Sequence, residues 1–260
     1  MNGGLKSALI TARAALQQVL RPLGFRPSRT LAGRRFQFDP ATDIGLELLL
    51  TRGFERSAID ACLRYLPKDG VVIDVGANIG VHTVHFAEAM PEGLVLSFEP
   101  ARRTFGFLAR NVAEWRNVVA LNCGLAETTS LATFFVAEDD AYSGLKDTGR
   151  KKILKTEIVA CFRGDDVLPR LLSNRHVNLI KIDVEGLETQ VLRGLREIIL
   201  QHRPVIFCEI FGGTDSNARP AETVDFVVGL GYRAHVLRGS ELVPAGPHDD
   251  RLYNYFFSPS

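Results

Sequence analysis

Two runs in the chain carry residues whose types and spacing can do chemistry. The first is Val71-Val72-Ile73-Asp74-Val75-Gly76-Ala77-Asn78-Ile79-Gly80. An apolar run reaches an acid and then a turn that holds two glycines. Glycine lets the backbone turn sharply and lets a ligand approach where a Cβ would collide. The helix expected next offers unpaired N–H groups at its start. Nineteen residues past Gly80, a second apolar run ends in Ser97-Phe98-Glu99-Pro100. The second chemical run is Ile180-Lys181-Ile182-Asp183-Val184-Glu185-Gly186, where apolar and charged residues alternate. Asp183 and Glu185 are two apart, so in an extended chain they share a face.

The glycine spacing excludes two nucleotide motifs. Asn78 replaces the second glycine of GxGxxG, and no P-loop lysine follows. A carboxylate about 20 residues beyond such a loop can accept hydrogen bonds from both hydroxyls of a ribose. Taken singly, Gly76–Gly80 reads as a strand-ending turn and Glu99 as a solvated acid. Together, at this spacing, they favour a nucleoside site. A diphosphate next to Asp74 would be repelled. The cationic methionine end of S-adenosylmethionine suits that acid better.

At the mouth of a sheet, Asp183 and Glu185 can anchor an ammonium, orient a hydroxyl, accept its proton or hold a divalent cation. As a plain structural pair they would sit at a helix N-terminus, where acids are favoured. Glu209, also at the end of a strand, is a third acid beside them. Asp183 or Glu185 is the candidate base, with His82 third. His82 and His85, three apart, have metal-ligand spacing but no third ligand nearby in sequence, so no metal is expected. Tyr142 and the basic run 150–152 read as a solvated loop, with substrate contact as the functional alternative.

The elements that position these groups follow from periodicity. From residue 71 onward, short β-rich runs at 71–75, 94–99 and 118–122 alternate with helical spacing at 81–90 and 105–115. After residue 160 the alternation resumes: strand 177–184, helix 188–201, strand 204–210, helix 221–230, and two last strands at 233–237 and 252–258. Such alternation gives βαβ crossovers and a mostly parallel sheet covered on both faces. The last two strands are expected as an antiparallel hairpin at one edge. Residues 127–160 break the pattern and read as an insertion with short strands at 132–136 and 157–162, a natural place for a substrate lid. Residues 1–50 read as an N-terminal helical appendage to a domain spanning 51–260. Within that appendage, residues 5–23 form an amphipathic helix flanked by Lys6, Arg13 and Arg21. It is expected to pack on its own domain or a second subunit, with membrane-surface contact as the weaker alternative.

Composition narrows the class. The chain has 260 residues, 46% hydrophobic and 23% charged, with a net charge of +1. That is an ordinary globular balance, and it predicts no nucleic-acid partner. Cys62, Cys123, Cys161 and Cys208 form no CxxC pair and read as reduced, mostly buried thiols of a cytoplasmic protein. No apolar run reaches the ~20 residues that span a bilayer.

Residues 73–80, Phe98-Glu99-Pro100, Asn111, residues 122–126, Lys181-Ile182-Asp183-Val184-Glu185-Gly186 with Glu188, and residues 204–209 together resemble the FkbM family of methyltransferases. The resemblance runs from about residue 53 to the end. It implies an α/β, Rossmann-like class I methyltransferase fold: a mostly parallel seven-stranded sheet with an antiparallel edge strand and helices on both faces. It also implies S-adenosylmethionine-dependent transfer to oxygen, with a sugar or glycolipid hydroxyl or a polyketide-type natural product as acceptor. On this reading Asp74, Gly76, Ala77, Asn78, Gly80, Glu99, Pro100, Asn122 and Gly124 bind the cofactor, and Asp183, Glu185 and His82 are catalytic. The partner is then a small-molecule or glycan acceptor, with a homo-oligomer as a further expectation. The rivals are a nicotinamide-dependent oxidoreductase, for which no Tyr-Lys hydride-site pair is found, and a non-catalytic nucleotide-binding module. In one place the chain departs from the family: Gly164-Asp165 stands where a Leu-Asp pair is usual.

Overall fold

The structure is a computed structural model. It describes residues 26–51, 53–147, 149–212, 219–248 and 252–260, together with Ala15, Leu16, Val19 and Gly24. The expected amphipathic helix at 5–23, and with it the question of membrane-surface contact, lies almost entirely outside the described residues.

A β-hairpin, β1 (Ser28–Leu31) and β2 (Arg34–Gln37), turns at Ala32 and Gly33, which have φ of 50° and 70°. Helices α1 (Asp43–Leu50) and α2 (Arg56–Leu63) follow. The alternating part runs β3 (Val71–Val75), α3 (Val81–Ala89), β4 (Leu94–Phe98), α4 (Arg102–Val112) and β5 (Val118–Leu121). Then come β6 (Gly124–Ala126), β7 (Ser130–Ala137), a 3-10 turn (Asp140–Tyr142), β8 (Ile153–Arg163) and α5 (Gly164–Leu172). The chain closes with β9 (Leu179–Ile182), α6 (Glu188–Gly194), α7 (Arg196–His202), β10 (Val205–Glu209), α8 (Pro220–Gly229), β11 (Tyr232–Arg238), β12 (Glu241–Pro244) and β13 (Asn254–Pro259).

The main sheet has the order β12-β11-β13-β10-β9-β3-β4-β5. Strands β10, β9, β3, β4 and β5 are parallel neighbours. Their residues are apolar except for Asp74, Ser97, Lys181 and Glu209, because both faces are covered. On one face Ile73, Ile180, Ile206 and Tyr255 pack with Leu168, Leu192, Ile199 and Val227 of α5–α8. On the other, Val72, Leu179, Phe207 and Phe256 pack with Cys62 of α2 and Phe86 of α3. The α/β, mostly parallel Rossmann-like architecture is therefore as expected.

Its details correct the expectation. The sheet has eight strands among the described residues, not seven. β13 does pair antiparallel with β11, but it also pairs with β10 and so lies inside the sheet. The edge is β12, a short strand that folds back antiparallel on β11. The expected single helix at 188–201 breaks at Leu195 into α6 and α7.

Residues 26–50 hold the hairpin as well as α1, and both pack onto the sheet-bearing unit; the rest of the expected helical appendage at 1–50 lies largely outside the described residues. Phe36, Phe38, Ile44 and Leu48 share one buried cluster with Ile79, Val84, Phe107 and Leu108. Full burial of each such side chain contributes roughly 1.5–3 kcal/mol. Arg103 ties this layer to the insertion by bridging Asp39 and Asp140. Strands β7 and β8 of the insertion pair antiparallel, and β6, just before it, joins β8 to make a three-stranded sheet of order β6-β8-β7. All four cysteines are buried and unpaired. Among the described residues no helix is long and apolar enough to cross a membrane.

The Gly164-Asp165 departure has a packing reason. A Cβ on Gly164 would meet Leu195 Cδ2 at 2.3 Å. Asp165 accepts from the amides of Glu197 (3.1 Å) and Ile198 (3.1 Å), capping the first turn of α7, and pairs with Arg163 at 3.0 Å. A carboxylate that accepts from the first amides of a helix is worth roughly 0.5–2 kcal/mol. Asp165→Ala is expected to lower the urea-unfolding free energy by that amount without changing affinity for S-adenosylhomocysteine. An unchanged midpoint would contradict the capping role.

Candidate active site

The site forms where β3, β4 and β9 reach their carboxyl ends. Asp74 of β3 is paired in register with Lys181 of β9. The loop that follows β3 needs its glycine: Gly76 has φ 76°, and a Cβ there would stand 1.8 Å from the Asp183 carbonyl oxygen. Asn78 takes the left-handed conformation at φ 50°, one that asparagine tolerates. Its amide donates to Glu99 Oε2 at 2.9 Å, and the Ala101 amide donates to Oε1 at 2.8 Å. Gly80, with φ 93°, starts α3.

Two cavities meet at this loop. The smaller, about 70 Å³, is a slot with Glu99 on its wall and Pro100, Gly124, Leu125 and Phe134 among its other lining residues. Burial pushes the Glu99 carboxyl up to about 7, although both amide donors oppose the shift. The larger cavity, about 280 Å³, is lined by Gly76, Ala77, Asn78, His82 and a group of acids. Asp183 and Glu185 line both cavities.

The structure thus brings together Gly76, Ala77, Asn78, Glu99, Pro100, Gly124, Asp183, Glu185 and His82. Three of the expected cofactor residues, Asp74, Asn122 and Gly80, line neither cavity. Asp74 lines neither cavity and is fully buried beneath the loop. Its Oδ2 accepts from Thr83 at 2.6 Å, and its Oδ1 lies 3.6 Å from Lys181 Nζ. Asn122 also stands behind the wall, donating to the carbonyls of Glu99 (2.9 Å) and Pro100 (3.0 Å) and so fixing the strand end. Gly80 shapes the helix start without lining either cavity; a Cβ there would press on Leu108 at 2.8 Å.

The strand ends at Ile182, so the extended alternation expected through Glu185 stops early. Glu185 sits in the left-handed region at φ 55°, and its carboxylate pairs with Arg150 of the insertion at 3.0 Å. Burial, with Asp183 nearby, raises its carboxyl to about 8. The Arg150 guanidinium lies over Tyr142 (4.3 Å) and Phe211 (4.8 Å), and Tyr142 donates to Asp43 at 3.0 Å. Residues 142 and 150 therefore form part of the cavity wall. Lys181 is buried, donates to the Gly76 carbonyl at 2.8 Å and stands 3.5 Å from Asp183 Oδ2. Its charge is favoured by Asp183 and Asp74 despite burial, so its pKa rises.

His82 is 6% exposed. Desolvation and the Lys181 charge hold it neutral. Its Nε2 has no hydrogen-bond partner and lies 3.6 Å from Glu55 Oε2. His85 lines neither cavity. Its pKa drops to about 4, chiefly through burial. Glu55, which carries no sequence motif, enters the site from a left-handed turn before α2. Burial and Asp183 raise it to about 7. Phe54 and Tyr253 also join the larger cavity. Only the irregular backbone between elements brings these residues in, and no periodicity marks it.

A Rossmann-like sheet with a Glu99-walled slot and an acid-lined cavity at its carboxyl edge is the layout of a nucleoside-dependent transferase. Residues 74–234 match the methyltransferase FkbM domain, and the chain belongs to that family. It is a methyltransferase whose methyl donor is S-adenosylmethionine. The match displaces the oxidoreductase alternative. Methyltransferase 1 of Beauveria bassiana (strain ARSEF 2860) is 32% identical over 179 residues, 60% of this chain and 70% of that protein. Hexuronic acid methyltransferase AglP of Haloferax volcanii is 30% identical over 168 residues, 62% of this chain and 64% of that protein. A crystal structure of methyltransferase FkbM from Methylobacillus flagellatus KT is 17% identical, with a TM-score of 0.49, covering 74% of this chain and 44% of that one.

The raised acids make stability depend on pH. Glu55, Glu99 and Glu188 have folded pKa values of about 7 and Glu185 about 8, against an ordinary 4.5. A raised carboxyl stabilises fully below its unfolded pKa, and that stability is lost as pH rises through the folded value. His82 and His85, both lowered, act in the opposite sense only below about 6.5. From pH 6.5 to 8.5 the cofactor-free protein is therefore expected to lose at least ~1 kcal/mol, roughly 3 °C in thermal midpoint. A flat or rising midpoint in differential scanning calorimetry would contradict these shifts.

Proposed function

We propose that the chain methylates a hydroxyl oxygen of a small-molecule or glycan acceptor, such as a sugar or a polyketide-type natural product. The observation that carries this reading is the placement of Asp183 and Glu185 on the shared wall of the two cavities. One cavity suits a nucleoside and the other an acceptor rich in hydrogen-bond donors.

The residues present fit the donor. Glu99 has spare lone pairs beyond those used by Asn78 and Ala101, so its oxygens would take the ribose hydroxyls. Pro100, Leu125 and Phe134 would enclose the base. The bare backbone at Gly76, with Ala77 and Asn78, would carry the methionine end. When bound, S-adenosylmethionine supplies an activated methyl group on a sulfonium. The chain's own work is to orient the acceptor, exclude water and take the acceptor's proton. Asp183 is the group we assign to that proton, at Oδ2, because it reaches both cavities while Lys181 steadies it. Glu185 is tied to Arg150, and burial makes the His82 imidazole a weak base, so we assign neither this role. Tyr142 and Arg150 in the cavity wall support the reading of residues 127–160 as a substrate lid. The uronic-acid acceptor named for the Haloferax relative makes sugar hydroxyls the first class to screen.

Two outcomes follow. Ribose hydroxyls favour the Glu99 carboxylate, so binding lowers its pKa from about 7. Below pH 7 the ligand must displace a proton, and affinity for S-adenosylhomocysteine falls with decreasing pH. Glu99→Gln is expected to weaken calorimetric binding roughly 10–100-fold and to flatten that pH dependence. A variant that keeps the wild-type pH profile would remove Glu99 from the ribose. Asp183→Asn is expected to cut turnover by ~100-fold or more while the dissociation constant for S-adenosylhomocysteine moves less than about threefold. Undiminished turnover would end the assignment of Asp183 as base.

A further inference from the structure

Part of the wall of the larger cavity is rich in hydrogen-bond acceptors. Glu55 and Glu209 stand there with His82. Burial raises the Glu209 carboxyl well above its ordinary value, and Asp183, Glu55 and Glu185 push it the same way. Lys181 is the cation on this side, and it is already engaged by Gly76, Asp74 and Asp183. Over the whole cavity the described lining residues include six acids and two permanent cations. Carboxylates crowded without a counter-charge cost free energy that a bound cation would relieve.

A second observation at this wall points to a ligand. His82 Nε2 is buried, lacks a hydrogen-bond partner and stands 3.6 Å from Glu55. Burial holds the imidazole neutral, so it keeps a lone pair to offer. A buried polar atom with no partner is uncommon and calls for an explanation. Phe54, Phe211 and Tyr253 line the same cavity, and ring faces attract cations. The Arg150 guanidinium over Tyr142 and Phe211, paired with Glu185, shows that acids and rings in this cavity collect a positive group. Among the described residues no three His, Cys, Asp or Glu side chains are spaced to hold a metal ion. An ammonium, with three donors directed apart, suits two carboxylates and an imidazole nitrogen.

We propose that Glu55, Glu209 and His82 form an acceptor subsite for a protonated amine, so that the acceptor is an amino-bearing hydroxyl compound and not an anionic one. This rests on the methyl-transfer reading and narrows its acceptor class. It separates this chain from the hexuronic acid named for one relative.

The test is a calorimetric or saturation-transfer comparison on the full chain saturated with S-adenosylhomocysteine. The probes are the methyl glycosides of glucosamine, glucose and glucuronic acid. The glucosaminide is expected to bind at least ~10-fold more tightly than the glucoside, with the glucuronide weakest. Glu55→Gln and Glu209→Gln are each expected to remove most of the amine preference while S-adenosylhomocysteine affinity stays within about threefold. Equal binding of the three probes, tighter binding of the glucuronide, or binding of none overturns the subsite, and these wild-type comparisons stand even if a variant fails to fold. Failure of S-adenosylhomocysteine itself to bind is read first; it overturns the methyl-transfer reading, and this subsite with it.

Discussion

The buried ammonium of Lys181 is the interaction on which the site depends. It sits one strand over from Asp74 in the parallel ladder, donates to the Gly76 carbonyl and reaches toward Asp183. Isolating such a charge from water costs several kcal/mol unless it is paired and hydrogen-bonded. Here two acids and a carbonyl compensate it, and in doing so the ammonium ties three pieces together: the end of β3, the turn after it and the first residue past β9. Gly76 completes the knot, because only a residue without a Cβ lets the turn lie against the Asp183 carbonyl. The loop, the acid and the sheet edge are therefore fixed by one arrangement rather than by three.

From that knot the chemistry spreads outward in two directions. Toward β4, the loop amide of Asn78 and the Ala101 amide hold Glu99 in a slot where its carboxyl titrates near neutrality. Toward α2 and β10, Glu55 and Glu209 gather with little counter-charge, and both titrate higher than usual. Crowded, desolvated carboxyls are costly in the empty protein, and a positively charged ligand would recover that cost on binding. The same feature that weakens the free fold at higher pH thus prepares it for its ligands.

The sequence made the glycine loop, Glu99 and the Asp183–Glu185 pair readable because each is written in consecutive residues at the end of an apolar run. It also made the parallel sheet readable, since β3, β9 and β10 are apolar but for one charged residue each. It did not reveal which side of β3 Asp74 faces; burial beneath the loop depends on Lys181, more than a hundred residues away. Glu55 was invisible for a related reason. It has no motif, and a left-handed turn before α2 carries it into the cavity. The hairpin β1–β2 was hidden by a stretch dense in arginine, Arg26, Arg29, Arg34 and Arg35, whose alternation is weak. Helix α5 begins at glycine and contains Pro169, both signals against a helix, yet Asp165 and Asp166 favour its first turn and Leu168 and Leu172 anchor it to the sheet. Strand β12 is four residues long and mostly exposed, so it carries little pattern.

The most direct test of the Lys181 knot is calorimetric titration of the double variant Asp74→Asn/Lys181→Met with S-adenosylhomocysteine. Removing both charges leaves no unpaired buried ion, so the sheet should fold with a native circular-dichroism spectrum. Freed from Lys181, the Gly76 turn and Asp183 lose their common anchor, and affinity is expected to fall at least ~10-fold. Wild-type affinity in a natively folded double variant would contradict the claim that this buried ammonium holds the site together.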